Sequence, residues 1–348
     1  MPRVSTFAPP FSAGYRTIGR KPAPVSLRST GEKAMRKFLV AFGAVFLFVR
    51  ALWRLLFRKR EELDWRDVSK PGYLIDLDGE TLHYVDEGRG PPVVLIHGFG
   101  GHTFSYRFLI PELARDHRVV AVDLLGFGYS ERVPGADYSQ EAQARRVLRL
   151  MDALGIQRAS LVGHSMGGEV AMRAAAAAPE RVAQLALVAS VSGDRVPTLP
   201  PTPLIKPFLP ALSRLLGRRM LGASFVDKSR LTDEIWEAYH RPARIRGSMD
   251  GLYSIMRDTR KDPPIQFDAI SAPILLMVAE RERIIPRWMR ERLRRRFPSA
   301  QVAVIRDAGH VLLEERPQEC NAVLRRFLDS GAAPPAGVMG VDSLAEAS

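Results

Sequence analysis

A single serine stands between glycines in the stretch GHSMGG, residues 163–168. The apolar run 159–162 precedes it and the alanine-rich run 171–178 follows it, so the pattern predicts a buried strand, a sharp turn and a helix. A serine at such a turn has a strained backbone that large neighbours would crowd, which accounts for Gly163 and Gly167. The free N–H groups at the helix start then stabilise negative charge beside the hydroxyl. We expect Ser165 to be a nucleophile; the alternative is a glycine-rich helix start without chemistry.

Two further loops carry groups that acyl transfer to a serine needs. The segment HGFGG, residues 97–101, follows an earlier apolar run, and the backbone N–H groups of Phe99 and Met166 are candidate donors of an oxyanion hole. The segment DAGH, residues 307–310, follows the last apolar run. We expect His310 to be the general base, because serine, acid and then histidine is the chain order of this arrangement.

The acid that would orient His310 has three candidates. Glu282 lies four positions after the run 274–278, in the loop AERE at 279–282. The carboxyl end of that run belongs to the sheet edge where the serine and histidine loops converge. Asp194 follows another apolar run and Asp307 stands three residues before His310. We favour Glu282 and retain both aspartates as alternatives.

Neither a cofactor nor a metal is predicted. Thr103 occupies the third glycine position of GxGxxG counted from Gly98, and no GxxxxGK[ST] motif occurs, so the glycines do not form a nucleotide-binding loop. The single cysteine, Cys320, excludes an internal disulfide and a cysteine-based zinc site. Because Cys320 belongs to an apolar stripe at helical spacing, we expect it to be buried and inert.

Eight short apolar runs are predicted to be strands. The first two, 73–77 and 81–85, are joined at Asp78-Gly79 as in a hairpin. The others are continuous, as in strands covered on both faces: 92–96, 119–122, 159–162, 185–189, 274–278 and 302–305. Residues with helical spacing lie between the runs, and the alternation predicts an α/β fold, with a mainly parallel eight-stranded sheet and helices on both faces.

Five segments are predicted along the chain. Residues 1–34 and 331–348 are expected to be disordered, because they are rich in small and polar residues and have no apolar period. Residues 35–60 combine apolar and basic side chains. Residues 68–191 and 269–330 carry the sheet pattern, and residues 192–268, where prolines and amphipathic stretches interrupt it, are expected to form a helical cap. Apolar cap residues are candidates for a pocket or for packing within the cap: Phe208, Leu209, Leu212, Leu216, Trp236, Tyr239 and Met256.

The formal net charge of +13 arises almost entirely at the N-terminus. Residues 1–60 contain 13 of the 51 Lys and Arg residues and 1 of the 38 acidic residues, which leaves 38 basic and 37 acidic residues in the rest. A nucleic-acid site needs clustered positive charge on the folded domain. The nearly neutral body therefore disfavours nucleic acid as a partner.

Residues 35–60 are predicted to anchor the chain at a membrane surface. The uninterrupted apolar run 38–49 would rise about 18 Å as a helix, less than the roughly 30 Å of a bilayer core. Arg50, Arg54 and Arg58 fall on one helix face, as in an interfacial helix on anionic headgroups. A spanning helix over 38–57 and a cleaved signal, with Met35 as initiator, are the alternatives. The predicted localisation is membrane-associated, on a side that the sequence leaves open.

Together, these motifs resemble those of the α/β-hydrolase fold family. The matching segments are HGFGG at 97–101, DLLGFGYS at 123–130, GHSMGG at 163–168, IIP at 284–286 and AGH at 308–310. The resemblance covers about residues 70–330 and implies Ser165 as nucleophile and His310 as base, with Phe99 and Met166 as oxyanion donors. A serine at the turn argues against the dehalogenases and epoxide hydrolases of the family. The architecture is similar to that of cap-bearing serine esterases and monoacylglycerol lipases.

We therefore predict a serine hydrolase of the carboxylesterase or lipase type, with a catalytic triad, acting on a small-molecule or lipid-like ester through an acyl-enzyme on Ser165. Within enzymes, the alternative is cleavage of a carbon–carbon bond by similar residues. Outside enzymes, the alternative is a ligand receptor that retains the triad and barely turns over. Substrate identity and oligomeric state stay open.

Overall fold

The computed structural model describes residues 36–37, 39–48, 50–51, 63–68, 70–194 and 202–330, without the side chain of residue 214. The predictions of disorder for residues 1–34 and 331–348 lie outside these residues, as do residues 52–60 of the predicted anchor.

One eight-stranded sheet forms the centre of the fold, in the order β1-β2-β4-β3-β5-β6-β7-β8. Its strands are β1 Tyr73–Asp76, β2 Thr81–Glu87, β3 Pro92–Ile96, β4 Arg118–Asp123, β5 Ala159–His164, β6 Val182–Val188, β7 Ile274–Ala279 and β8 Gln301–Ile305. β2 runs antiparallel to β1 and to β4, and every other neighbouring pair is parallel. The predicted mainly parallel sheet of eight strands is confirmed.

The sheet separates two apolar cores. Val94 and Ile96 of β3 pack into one core, and Val93 and Leu95 pack into the other. Successive side chains of a strand point to opposite faces, so a strand that is apolar at every position is covered on both sides. This explains why the central strands are continuous apolar runs rather than alternating ones.

Helices cover both faces of the sheet. The α-helices after residue 63, within the described residues, are α1 Ile110–Leu113, α2 Gln140–Ala153, α3 Met166–Ala177, α4 Leu209–Ala223, α5 Asp233–His240, α6 Ser248–Asp258, α7 Arg287–Arg296, α8 Leu312–Glu315 and α9 Pro317–Asp329. α4, α5 and α6, with short 3₁₀ turns, lie between β6 and β7, where a helical cap is predicted. The predicted boundaries of the cap stay a prediction.

The N-terminal segment contains a separate helix. Its described residues, 36–37, 39–48 and 50–51, are helical, and its apolar side chains are largely exposed. Within the described part of the chain, no helix is both long enough and apolar enough to cross a membrane.

His102 connects the loop after β3 to cap helix α5. Its Nδ1 accepts a hydrogen bond from the backbone N–H of Phe104 at 3.4 Å, and its Nε2 lies 3.1 Å from the carbonyl oxygen of Ala238, to which it donates. The ring therefore carries one proton and is neutral. Burial, which penalises the charged ring, lowers the pKa of His102 to about 4.

We expect this histidine to make the fold less stable in acid. Because the pKa of His102 is lower in the folded protein than in the unfolded chain, the unfolded chain binds more protons between pH 6.5 and about 4. The contribution of neutral His102 to the free energy of unfolding is complete above pH 6.5. It decreases as the pH falls, by an amount on the order of 3 kcal/mol. Thermal melting at several pH values should show a shallower acid loss for His102→Gln than for the wild type. Parallel curves for the two proteins would contradict a neutral buried His102.

Candidate active site

Ser165 lies at the turn between β5 and α3 in a left-handed backbone conformation. Its φ is 53° and its ψ is −117°, an unusual conformation for a residue with a side chain. The turn is held on both sides, because the N–H of Ser165 donates to the carbonyl of Val188 at 2.9 Å and the N–H of Gly168 donates to the carbonyl of Ser165 at 3.0 Å. The strained turn predicted from GHSMGG is present, and it directs the serine side chain out of the sheet edge.

The two glycines beside Ser165 are required by close packing of the backbone. A Cβ at Gly163 would lie 2.4 Å from the carbonyl oxygen of Gly167, and a Cβ at Gly167 would lie 2.1 Å from that of Ile96. Both contacts are with main-chain atoms, so no side-chain rotation relieves them. Any larger residue would push the turn out of place and move the serine with it.

The structure brings Ser165, His310 and Glu282 into one hydrogen-bonded chain. His310 Nε2 lies 2.9 Å from Ser165 Oγ, and His310 Nδ1 lies 2.8 Å from Glu282 Oε2. A carboxylate only accepts hydrogen bonds, so Nδ1 carries the ring proton and donates it to Glu282. Nε2 is then free to accept the proton of the serine hydroxyl, as a general base must.

The second carboxylate oxygen of Glu282, which does not face His310, is also hydrogen-bonded. Its Oε1 accepts hydrogen bonds from the backbone N–H groups of Ile284 at 2.7 Å and Ile285 at 3.1 Å. Burial raises the pKa of Glu282, but the hydrogen bond from His310, the charge of that ring when it is protonated and these two N–H groups outweigh it, so the pKa lies below its usual value. The side chain, 1% exposed, is therefore an ionised carboxylate aimed at the imidazole.

The two alternative acids are engaged elsewhere. Asp194 pairs with Arg296 at 2.7 Å and with Arg292 at 3.3 Å, and it accepts a hydrogen bond from the hydroxyl of Ser192. Asp307 lies at the surface beside Arg281, at 2.5 Å. Neither aspartate contacts His310; each pairs with arginines from another segment, Asp194 with residues of α7 and Asp307 with Arg281 after β7.

Both candidate oxyanion donors lie next to the serine. Met166 is the first residue of α3, so its N–H has no carbonyl partner within the helix. Gly98, which precedes Phe99, lies so close to the serine that a Cβ on it would be 2.9 Å from the Ser165 Cβ. The N–H groups of residues 99 and 166 therefore belong to loops that meet at the nucleophile, although their role as donors stays a prediction.

A cavity of about 80 Å³ adjoins the serine. Leu221 and Tyr239 of the cap and Val311 and Leu313 of the core are among its walls. Pockets that bury a whole drug-sized ligand measure about 300–1,000 Å³. A ligand of that size therefore does not fit inside this cavity and must extend beyond it. A larger groove of about 480 Å³ shares none of its residues with this cavity.

Most of the cap residues proposed for an apolar pocket do not line the cavity. Tyr239 is the one that does, whereas Leu212 and Met256 are largely exposed. The side chain that lines the cavity from helix α4 is Leu221. An amphipathic pattern identifies the helix, but it does not tell which neighbour covers its apolar side.

A polar cluster in the cavity wall was not expected from the sequence. Glu314 receives two hydrogen bonds from the Arg107 guanidinium, and its Oε1 lies 2.5 Å from Tyr239 Oη, which donates to it. Ser105 Oγ lies 3.1 Å from the same tyrosine oxygen. Burial and then the neighbouring Glu314 raise the pKa of Tyr239 well above its usual value, so Tyr239 stays a hydroxyl donor. The only signal in the sequence is that Glu314 follows the AGH segment closely.

His164, directly before the nucleophile, also has an unexpected contact. Its Nε2 donates to the backbone carbonyl of His310 at 2.9 Å, and the two rings lie 5.0 Å apart. Burial is the main cause that lowers the pKa of His164 to about 3, and the charge of His310, when that ring is protonated, contributes to the lowering. The His164 ring is therefore neutral. This hydrogen bond fixes the loop that carries His310 to the end of β5. Sequence alone places His164 beside the turn but does not identify its partner.

Comparison with known proteins agrees with this architecture. The chain is 30% identical over 255 residues to the uncharacterised hydrolase YugF of Bacillus subtilis, covering 71% of this chain and 92% of the relative. It is 30% identical over 275 residues to a 2-hydroxymuconate semialdehyde hydrolase of Pseudomonas putida, covering 76% and 93%. Among solved structures, it is similar to a membrane phospholipase A described as a bacterial virulence factor, with a TM-score of 0.62, 27% identity and coverage of 85% of this chain and 98% of the other.

The sequence that forms most of the sheet and the site matches a known family. A family model described as the alpha/beta hydrolase fold matches residues 91–317, the part of the chain that runs from β3 to the start of α9 and includes Ser165, Glu282 and His310. Since this match spans well over half of the chain and the sheet has the expected topology, the protein belongs to the α/β-hydrolase fold family, and it is a hydrolase of that family.

Proposed function

We propose that this hydrolase cleaves a carboxylic ester of a lipid-like substrate through an acyl-enzyme on Ser165. The observation that carries the proposal is the continuous chain of hydrogen bonds from Ser165 Oγ through His310 to Glu282, beside a cavity at the carboxyl edge of the sheet. A hydroxyl in this setting is activated by the adjacent base and needs no metal or cofactor.

Each step of the reaction uses a group already described. His310 Nε2 accepts the proton of Ser165 as its oxygen attacks the ester carbonyl, and the N–H groups of Phe99 and Met166 donate to the resulting oxyanion. The imidazolium then protonates the departing alcohol, which leaves an acyl-serine. A water molecule gives a proton to His310 as it attacks the acyl carbonyl, and His310 returns this proton to Ser165 Oγ as the carboxylic acid leaves. Throughout, the Glu282 carboxylate stabilises the imidazolium and holds its tautomer.

The charge of the cavity wall favours an ester over the carbon–carbon alternative. The relative named 2-hydroxymuconate semialdehyde hydrolase gives that alternative its support. A muconate-type substrate carries a carboxylate, and the described residues that line the cavity include no Lys or Arg, while their one carboxylate, Glu314, is paired with Arg107. A neutral acyl group therefore fits this wall better. Turnover of a muconate semialdehyde, with none of p-nitrophenyl esters of graded chain length, would establish the alternative.

Two observations favour a lipid-like substrate. The cavity walls include the apolar side chains of Leu221, Val311 and Leu313. The second observation is the similarity, over 85% of this chain, to a solved structure described as a membrane phospholipase A.

We propose that residues 35–60 bind a membrane surface as an interfacial helix. In the described part, apolar side chains are exposed, with Leu39 at 58%, Phe42 at 62% and Phe46 at 57%. Arg36, Lys37 and Arg50 flank them and complement anionic headgroups. A spanning helix and a cleaved signal are the alternatives that an extraction experiment separates.

A ligand receptor that retains the triad is the alternative outside enzymes. Such a protein would release a stoichiometric burst of product from an ester as Ser165 is acylated, and steady turnover would then be absent. Steady-state hydrolysis of any ester in the graded series excludes it.

The role of Ser165 is tested by removing its hydroxyl. Ser165→Ala should lower ester turnover by about 10⁴- to 10⁶-fold and abolish labelling by a fluorophosphonate, because no nucleophile remains. Ser330→Ala, at the end of α9, is the matched control and should retain both activities. Labelling that persists in Ser165→Ala would show that another residue is the nucleophile.

The acid is tested with three amide variants measured side by side. Glu282→Gln should lower turnover by up to about 10⁴-fold, because an amide cannot stabilise the imidazolium. Asp194→Asn and Asp307→Asn should retain most activity, since both aspartates pair with arginines and not with His310. Thermal melting excludes unfolding as the cause. If Asp194→Asn is inactive while Glu282→Gln is active, the assignment is wrong.

The anchor is tested by fractionation. The full-length protein should sediment with membranes, and a chain lacking residues 1–60 should remain in the supernatant, because the apolar and basic residues of the anchor are then missing. Alkaline carbonate distinguishes the two membrane-bound arrangements: release indicates an interfacial helix and retention a spanning one. Sedimentation of the shortened chain to the same extent would argue against residues 35–60 as the main anchor.

A further inference from the structure

Cap helix α4 carries an exposed apolar surface. Leu204, Leu212, Leu215 and Met220 are 79%, 42%, 62% and 64% exposed. Leu212 and Leu215, with Arg219, recur at the spacing of one helix face, and Leu204 precedes the helix in its 3₁₀ turn. We call these five residues the cap face. Large apolar side chains that cluster at the surface, with basic residues among them, are typical of interaction sites.

The segment that forms the cap face carries only basic charges of its own. Residues 202–223 include Lys206, Arg214, Arg218 and Arg219 and no acidic residue. Lys206 pairs with Asp250, and Arg218 pairs with Asp233, both of which lie on other helices. A surface that is apolar and basic complements a bilayer with anionic headgroups, where apolar side chains enter the boundary region and cations remain at the phosphates.

The same helix reaches the cavity. Leu221, next to Met220 of the cap face, lines the cavity beside Ser165, and so does Ser224 directly after α4. Whatever covers the cap face therefore lies near the cavity. A substrate that extends beyond the cavity of about 80 Å³ could therefore contact whatever covers the cap face.

The chain just after the proposed anchor is hydrogen-bonded to the cap. Leu63 donates its N–H to the carbonyl of Arg244 and accepts a hydrogen bond from the N–H of Arg246, so it is fixed to the cap loop before α6. Only residues 61 and 62 separate it from the end of the anchor segment, a reach of about 10 Å. α6 in turn carries Asp250, which pairs with Lys206. The chain that follows residues 35–60 is therefore fixed to the cap.

We propose that the cap face docks on a bilayer containing anionic lipids, as a second membrane contact in addition to residues 35–60. Docking places the end of α4 that lines the cavity at the lipid surface, where a lipid-like substrate enters without crossing water. The inference deepens the proposed function and rests on it for the identity of the substrate, whereas docking itself is measurable without any turnover.

The test places an environment-sensitive fluorophore on the cap face of the full-length protein. Leu215→Cys is labelled with a nitrobenzoxadiazole probe; Cys320 is fully buried and burial raises its pKa to about 12, so it stays unlabelled. Vesicles of phosphatidylcholine and phosphatidylglycerol should shift the emission of this probe to the blue, and brominated acyl chains should quench it. Pure phosphatidylcholine vesicles should give a smaller shift in the emission, because the basic residues of segment 202–223 then meet no anionic headgroups.

The matched control is the same probe on Glu180→Cys. Glu180 is exposed and lies just before β6, at the amino ends of the parallel strands, opposite the edge that carries Ser165. Its emission should not change, although the protein sediments with the same vesicles. An unchanged probe at residue 215 in sedimenting protein would overturn the proposal, since the anchor alone would then hold the chain. A blue shift that needs no vesicles and grows with protein concentration would also overturn it, in favour of a second copy of this chain.

A second measurement separates docking from chemistry. The double variant Leu212→Asp, Leu215→Asp should hydrolyse a short soluble p-nitrophenyl ester at the wild-type rate, because neither leucine lines the cavity. It should hydrolyse a long-chain ester embedded in the anionic vesicles at least about fivefold more slowly. Equal loss on both substrates would overturn docking as the cause. If the wild type hydrolyses no ester, the proposed function fails, while the fluorescence result still decides whether the cap face docks.

Discussion

The left-handed backbone at Ser165 is the constraint on which the rest of the site depends. A residue with a side chain in this conformation costs about 1–3 kcal/mol and persists only when its surroundings determine it fully. Here Ser165 is the single residue between the end of β5 at His164 and the start of α3 at Met166, and hydrogen bonds from both sides hold the turn. The glycines at 163 and 167 are consequences of that packing, because backbone atoms occupy the space that a Cβ would need.

The parallel sheet brings the other groups to this turn. β3, β5, β7 and β8 run in the same direction, so the loops after their carboxyl ends meet at one edge. His310 arrives from the loop after β8 and Glu282 from the loop after β7. The backbone N–H groups of Ile284 and Ile285 hold the glutamate oxygen that does not face the histidine. These two hydrogen bonds fix the longer side chain of the glutamate.

Charge and apolar surface are distributed unevenly in this chain. The body is nearly neutral, and the basic excess belongs to the first 60 residues, beside a long apolar run. The cap repeats the combination on a smaller scale in residues 202–223. No charged residue of either segment is among the described residues that line the cavity beside Ser165.

By itself, the sequence determined the strand pattern, the sharp turn at Ser165 and the loops that carry His310 and Glu282, because short-range periodicity and glycine spacing are local properties. It left Glu282, Asp194 and Asp307 open as the acid, since the partner of a loop carboxylate depends on segments far apart in the chain. Only the tertiary structure placed Glu282 against His310, and Asp194 and Asp307 against arginines. Only the tertiary structure also showed the hydrogen bond between Tyr239 and Glu314 and the exposed side of α4. Contacts between cap and core form only when distant segments of the chain pack together.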